Sequence, residues 1–157
     1  EKTMIEVLPL DKITEKVGQE LGVTDWMQMD QERINQFAEC TGDHQWIHID
    51  EEKAKAGPFG TTIAHGYLTI SLIPQFSGNI GVVPEGTMMA INYGANKVRL
   101  LNPVTVGSKI RDRISLGEVT EKSGGRILVS NTHTIEIDGQ EKPALVAEML
   151  TMFFTQG

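Results

Sequence analysis

The sequence predicts an α+β fold in which a run of antiparallel strands encloses one buried helix. Three observations carry that prediction. From Gly86 onward, apolar and polar residues alternate with period two over four long stretches, the spacing of strands that bury one face. Ser123-Gly124-Gly125 and Asp138-Gly139 separate consecutive stretches and read as hairpin turns. Ahead of the strands, Gly66 to about Phe76 is apolar almost all round, as in a helix with protein on every side. Helices segregated from antiparallel strands make the class α+β.

Along the chain, the first 20 or so residues are mixed and polar and define no element, and Val23 to Met29 alternates loosely as a strand. Asp30 is a suitable N-cap, and Ile34, Phe37, Ala38 and Thr41 follow at i, i+3, i+4 and i+7, so a helix of about ten residues is expected to end at Gly42. Asp50 reads as a second N-cap, with Glu51 and Glu52 in the first turn and Gly57-Pro58 at the end. Pro74 interrupts the apolar run. A proline costs about 3 kcal/mol inside a regular helix, so a kink or an early end is expected there. The strands are placed at Thr87 to Leu101, Lys109 to Thr120, Arg126 to Ile137 and Ala144 to Phe154, with a further turn at Asn102-Pro103 and Gly107. Ile127, Val129, Asn131, His133, Ile135 and Ile137 share one face of the third.

A chain of 157 residues fits a single domain, 1–157, with enough length for a real core. Its apolar stretches fall short of the roughly 18 to 20 residues that cross a bilayer. No basic segment followed by an apolar one opens it, so no membrane partner and a cytoplasmic location are expected. Cys40 is the only cysteine; it permits no intrachain disulfide and is expected to be a buried helix residue. The net charge of −7 argues against a nucleic-acid partner. A polyanionic ligand would need a local basic patch, for which Lys97, Arg99, Lys109, Arg111 and Arg113 are the densest candidates. Scattered surface charge is the simpler reading of those five.

The chemistry concentrates in Gly42-Asp43-His44-Gln45-Trp46-Ile47-His48. A carboxylate and an imidazole five positions apart, on a loop between two capped helices, can hold one water and exchange protons near neutrality. A helix-capping Asp43 and a structural His48 are the competing reading. Seventeen residues past His48, Ala64-His65-Gly66-Tyr67 opens the apolar helix. The Gly66 N–H there is an unsatisfied first-turn donor, able to meet an oxygen that gains negative charge. Alternatively, glycine only permits a tight turn. His65 suits a loop-orienting role, while His44 and His133 read as non-catalytic. No H-E-x-x-H spacing is present, nor G-x-S-x-G, Walker A or G-x-G-x-x-G, so metal, acyl-serine, P-loop and Rossmann readings lose their main support.

Phe37 to His48, Ala64-His65-Gly66-Tyr67-Leu68 and Ser71-Leu72 together resemble the signature of the MaoC-like dehydratases, which include the (R)-specific enoyl-CoA hydratases. Similar spacing continues through Asn92-Tyr93-Gly94, Val98-Arg99-Leu100 and Pro103-Val104 with Gly107. The resemblance covers about residue 15 onward and looks closest to the branch containing nodulation protein N. It implies a hot-dog fold, an antiparallel sheet wrapped around the central helix, and a homodimer with the substrate tunnel near its interface. It further implies Asp43 and His48 as holders of the catalytic water and Gly66 N–H as the donor to a thioester carbonyl. His65, Tyr67, Leu68 and Leu72 are expected to bind substrate, an acyl-CoA or acyl-carrier-protein thioester. No metal or other cofactor is expected. The family's loop is usually G-D-x-N-P-(aliphatic)-H; here Gln45-Trp46 stands where Asn-Pro is usual. A hot-dog thioesterase and a non-catalytic acyl-CoA binding module are the alternative functions.

Overall fold

The computed structural model describes residues 4–156. Strand β1 (Met4–Leu8) and helix α1 (Leu10–Glu15) lead to β2 (Glu20–Val23) and β3 (Met27–Gln28). Helices α2 (Gln31–Thr41), α3 (Trp46–Ile49) and α4 (Glu51–Lys55) follow, then α5 (Gly66–Ser71) and α6 (Ile73–Ser77). The chain finishes with β4 (Ile80–Pro84), β5 (Thr87–Leu100), β6 (Lys109–Lys122), β7 (Arg126–Ile137) and β8 (Leu145–Thr155).

The last four strands form the antiparallel sheet that the period-two pattern predicts. With β2 the order is β2-β6-β7-β8-β5, and β3 also pairs with β6. Both turn signals join neighbours, β6 to β7 and β7 to β8. A bulge between Leu116 and Val119 bends the centre of the sheet. Gly117 sits in it against Ser130, where a Cβ would collide with the Ser130 Oγ. That hydroxyl instead accepts the Glu118 N–H at 2.8 Å.

The concave face of the sheet packs on α5 and α6. Leu68, Ile73 and Phe76 from these helices, with Leu72 between them, join Ile110, Ile135, Ile137, Leu145 and Ala147 in one buried cluster. The apolar run is thus central, as expected, but Pro74 divides it. Helix α5 stops at Ser71, and Pro74 lies in the first turn of α6, where its missing N–H has no intrahelical partner to lose.

Three expectations are corrected. The stretch Val23 to Met29 is not one strand but the end of β2 and the short β3. The N-terminal residues without a predicted element form β1 and α1, and β1 pairs in parallel with β4, from Met4↔Ile80 to Leu8↔Pro84. Around this pair a second cluster gathers Ile13, Val82, Leu116, Ile127 and Phe153. Finally, Cys40 is exposed. It lies two residues past the buried Ala38, about 200° around the helix and so on its outer side.

Candidate active site

Helix caps fix the backbone around the candidate pair. Asp30 Oδ1 accepts the Arg33 N–H at 2.8 Å to start α2. Gly42 ends it in the left-handed region at φ 84, a conformation that favours glycine. Asp50 Oδ1 accepts the Lys53 N–H at 3.0 Å to start α4. Between them Asp43 Oδ1 accepts the Gln45 N–H at 3.3 Å, the turn-forming habit of aspartate. His48 is not in a loop but on α3, a single turn inserted between the two predicted helices.

Trp46 opens α3 at the first helical position, which proline suits by its fixed φ. The indole supplies contact instead. It lies close enough to Gly57 that a Cβ there would stand 3.0 Å from the ring. Lys53 Nζ sits 4.9 Å from the ring centroid, so α3 is fastened to α4 through a side chain.

Burial and hydrogen bonding set the state of His48. The residue is 6% exposed, and its Nδ1 lies 2.7 Å from the Ile63 carbonyl. A carbonyl only accepts, so Nδ1 carries the hydrogen and Nε2 is left free. Burial is the main influence on the ring and lowers its pKa. The Ile63 bond opposes that shift, His65 adds to it, and Asp43 opposes it. The imidazole is therefore neutral at pH 7, with an Nε2 lone pair ready to accept a proton.

Gln31 was not singled out by the sequence and braces this arrangement from α2. Its Nε2 donates to the His48 carbonyl at 2.8 Å, and its Oε1 accepts the Thr62 hydroxyl at 2.5 Å. Both Gln31 contacts are long-range, so no local pattern marks it. His65 is 2% exposed and donates from Nε2 to the Asp43 carbonyl at 3.0 Å. Its ring stacks on His48 with centroids 3.8 Å apart at 22°. The loop-orienting role suggested for His65 has a direct basis in that bond.

Next in sequence, Gly66 begins α5. The Leu68 and Thr69 N–H groups both turn back to the His65 carbonyl, whereas those of Gly66 and Tyr67 take no backbone partner among the described residues. A Cβ at Gly66 would collide with the Leu100 side chain. Tyr67 is 73% exposed.

Two cavities flank the helical run. The smaller, about 240 Å³, is lined by Gly66, Thr69, Leu100, Pro103 and Val104. The larger, about 690 Å³, lies among Ile70, Pro74, Val82, Asn131, His133 and Phe153. Leu68 and Leu72 line neither; their inward-pointing positions commit them to the core. Met88, at 68% exposure, faces outward.

Of the basic candidates, Arg111 and Arg113 are engaged by Glu136, and Arg113 also by Glu20. These two belong to the outer surface of the sheet rather than to a free anion site.

The Asp43 carboxylate and the ring nitrogens of His48 and His65 come within 4.8 Å of one another. A carboxylate and two imidazoles are metal-ligand types, but an ion binds at about 2.0–2.1 Å along a nitrogen lone pair, in the ring plane. Two near-parallel rings 3.8 Å apart cannot both hold one ion in plane. The arrangement suits a hydrogen-bonded water better.

The model of the "MaoC like domain" family matches residues 12–138. The chain belongs to the MaoC-like dehydratase family. The relatives agree with this membership. The 3-hydroxyacyl-thioester dehydratase Z of Mycobacterium tuberculosis is 47% identical over 136 residues, covering 87% of this chain and 89% of the relative. Nodulation protein N of Rhizobium leguminosarum bv. viciae is 40% identical over 148 residues, covering 92% and 91%. Among solved structures, the monoamine oxidase regulatory protein from Archaeoglobus superposes with TM-score 0.77 at 22% identity, covering 96% of this chain and 97% of that one. The R-hydratase PhaJ1 from Pseudomonas aeruginosa superposes with TM-score 0.68 at 22% identity, covering 88% and 82%. At such identities the structures establish the fold alone, and it is the hot-dog fold. This MaoC-like dehydratase is a hydro-lyase by family. None of its described helices is long and apolar enough to cross a membrane.

Proposed function

We propose that this MaoC-like dehydratase reversibly hydrates trans-2-enoyl thioesters to (3R)-hydroxyacyl thioesters. One observation carries the reading. Asp43 and His48 approach within 4.8 Å beside the start of the helix on which the Gly66 N–H has no backbone partner.

In the proposed reaction a water bridges the Asp43 carboxylate and His48 Nε2. Its oxygen bonds to C3 of the enoyl thioester while the pair takes its proton, and a proton is delivered to C2. Electron density moves onto the thioester oxygen, where the Gly66 N–H meets it. A donor of this type is worth about 10²- to 10³-fold in rate. The fixed tautomer of His48 supports this division of work, since the nitrogen left free is the one without a hydrogen. Asp43 and His48 act as a pair, since the carboxylate favours the protonated ring that forms when His48 takes the proton. The substrate is a thioester of coenzyme A or of acyl carrier protein in the cytoplasm, and the steps call for no further cofactor.

We place the homodimer contact on β5. Its pairing partner is β8, and Met88, Met89, Ile91 and Tyr93 on it are 68%, 54%, 47% and 60% exposed. A long edge strand with apolar side chains favours pairing with another strand.

Incubation with crotonyl-CoA tests the function. Loss of the enoyl absorbance with formation of the (3R) alcohol is the expected result. The (3S) alcohol would reject the assignment, and thiol release without hydration would move it to a thioesterase. Tight binding of acyl-CoA with no turnover of enoyl-CoA would leave a binding module.

A further inference from the structure

A second polar group lies under the helical run, apart from Asp43 and His48. On the concave face of the sheet His133 Nδ1 meets Asp112 Oδ2 at 2.6 Å, with their side chains 3% and 0% exposed. Asp112 is in phase with the inward-facing Ile110, Ile114 and Leu116 of β6. His133 lines the cavity of about 690 Å³, whose size falls within the roughly 300–1,000 Å³ of small-molecule sites. Asn131, two residues away on β7 and so about 6.6 Å along the strand, lines the same cavity. Its Oδ1 is buried and has no hydrogen-bond partner.

Burial pushes the Asp112 carboxyl up, against the opposing pull of its bond to His133. With the proton that burial favours on the Asp112 carboxyl, the acid donates to His133 Nδ1 and the ring hydrogen is on Nε2. His133 therefore offers a donor on the cavity side and Asn131 an unmet acceptor. The remaining walls are mostly apolar, among them Ile70, Ile73, Pro74, Val82 and Phe153, with Ser71, Ser77, Asn92 and Thr151 as the other polar side chains. A donor and an unmet acceptor two residues apart on one strand of a mostly apolar chamber match a hydroxyl, which accepts once and donates once.

We propose that this cavity is a ligand site for an apolar chain bearing a hydroxyl group, which accepts from His133 Nε2–H and donates to Asn131 Oδ1. Such a chain has two sources, a free alcohol or the acyl chain of a thioester hydroxylated away from its reacting carbons. The second source rests on the hydration reading. Its geometric basis is that Ile70, on the cavity wall, lies one helical turn beyond Gly66.

The test compares 1-hexanol with hex-1-ene by nuclear magnetic resonance titration of the whole chain. Apolar transfer alone favours the alkene, so tighter binding of the alcohol reports the polar end. The expected preference is three- to ten-fold for the alcohol, about one hydrogen bond, and it disappears in Asn131→Leu and in His133→Phe. Should His133→Phe fail to fold, Asn131→Leu decides alone. Equal or tighter binding of hex-1-ene to the native chain, or a preference that survives in Asn131→Leu, overturns the proposal. KM for 8-hydroxy-2-octenoyl-CoA against 2-octenoyl-CoA then separates the sources: a lower KM for the hydroxylated chain assigns the site to substrate, and equal KM with retained hexanol binding assigns it to a free ligand. Crotonyl-CoA is too short to need the polar end. Its turnover without hexanol preference overturns this inference alone, while hexanol preference without its turnover overturns the hydration reading alone.

Discussion

Replacing Asp43 with asparagine removes a negative charge and little else. The side chain is exposed, its Oδ1 accepts the Gln45 N–H at 3.3 Å, and its backbone carbonyl accepts from His65. An amide oxygen preserves the first contact, and the second does not involve the side chain. Stability should therefore change by no more than about 0.5 kcal/mol, the usual range for a surface substitution. The proposed chemistry should suffer far more. Loss of a proton-transferring group costs about 10²- to 10⁴-fold, or roughly 2.7–5.4 kcal/mol at about 1.36 kcal/mol per factor of ten. The Asp43 charge favours the protonated form of His48, so its removal should lower the His48 pKa further. The assays are kcat/KM for crotonyl-CoA, thermal unfolding, and a resonance titration of the His48 ring. A variant that melts like the native protein and turns over within ten-fold of it would remove Asp43 from the mechanism.

Replacing His48 with glutamine should also reduce turnover by at least about 10²-fold in the crotonyl-CoA assay. The same variant isolates a pH effect. Because folding depresses the His48 pKa, the unfolded chain takes up the proton first. The associated stability is complete above about pH 6.5 and is lost as pH falls through the folded value. Urea unfolding at pH 7.5 and 5.5 should show a smaller difference in His48→Gln than in the native protein. His133→Leu should cost about 3–5 kcal/mol by the same measurement, since it strands the buried Asp112 without its partner. Ile91→Glu on the open edge of β5 should shift sedimentation from dimer toward monomer, and an unchanged dimer would move the interface elsewhere.

Much of the fold was legible because its signals are local. Strand alternation located β5 to β8, and the Asp30 and Gly42 caps located both ends of α2. The parallel β1–β4 pair was not, because its register joins Met4 to Ile80 and nothing in either short segment announces a partner so distant. Asp43, His48 and Gly66 could be named from the sequence, but their approach depends on Ile63, Gln31 and His65, whose hydrogen bonds cross between segments. Asp112 left a readable trace: a carboxylate in phase with Ile110, Ile114 and Leu116 is out of character on an inward face. Cys40 shows the reverse error, where a residue-type tendency toward burial was outweighed by position around α2.

The bond from His65 to the Asp43 carbonyl spans 22 residues and closes that segment into a ring through the backbone. Since His65 is covalently next to Gly66 and stacked on His48, one ring of atoms ties the carboxylate, the imidazole and the helix start together. The three thus share one set of static contacts, the His65 hydrogen bond and its stacking on His48. Because closing a loop of this length loses chain entropy, the fold has already met that cost before any substrate arrives, and each turnover begins from a site that needs no assembly.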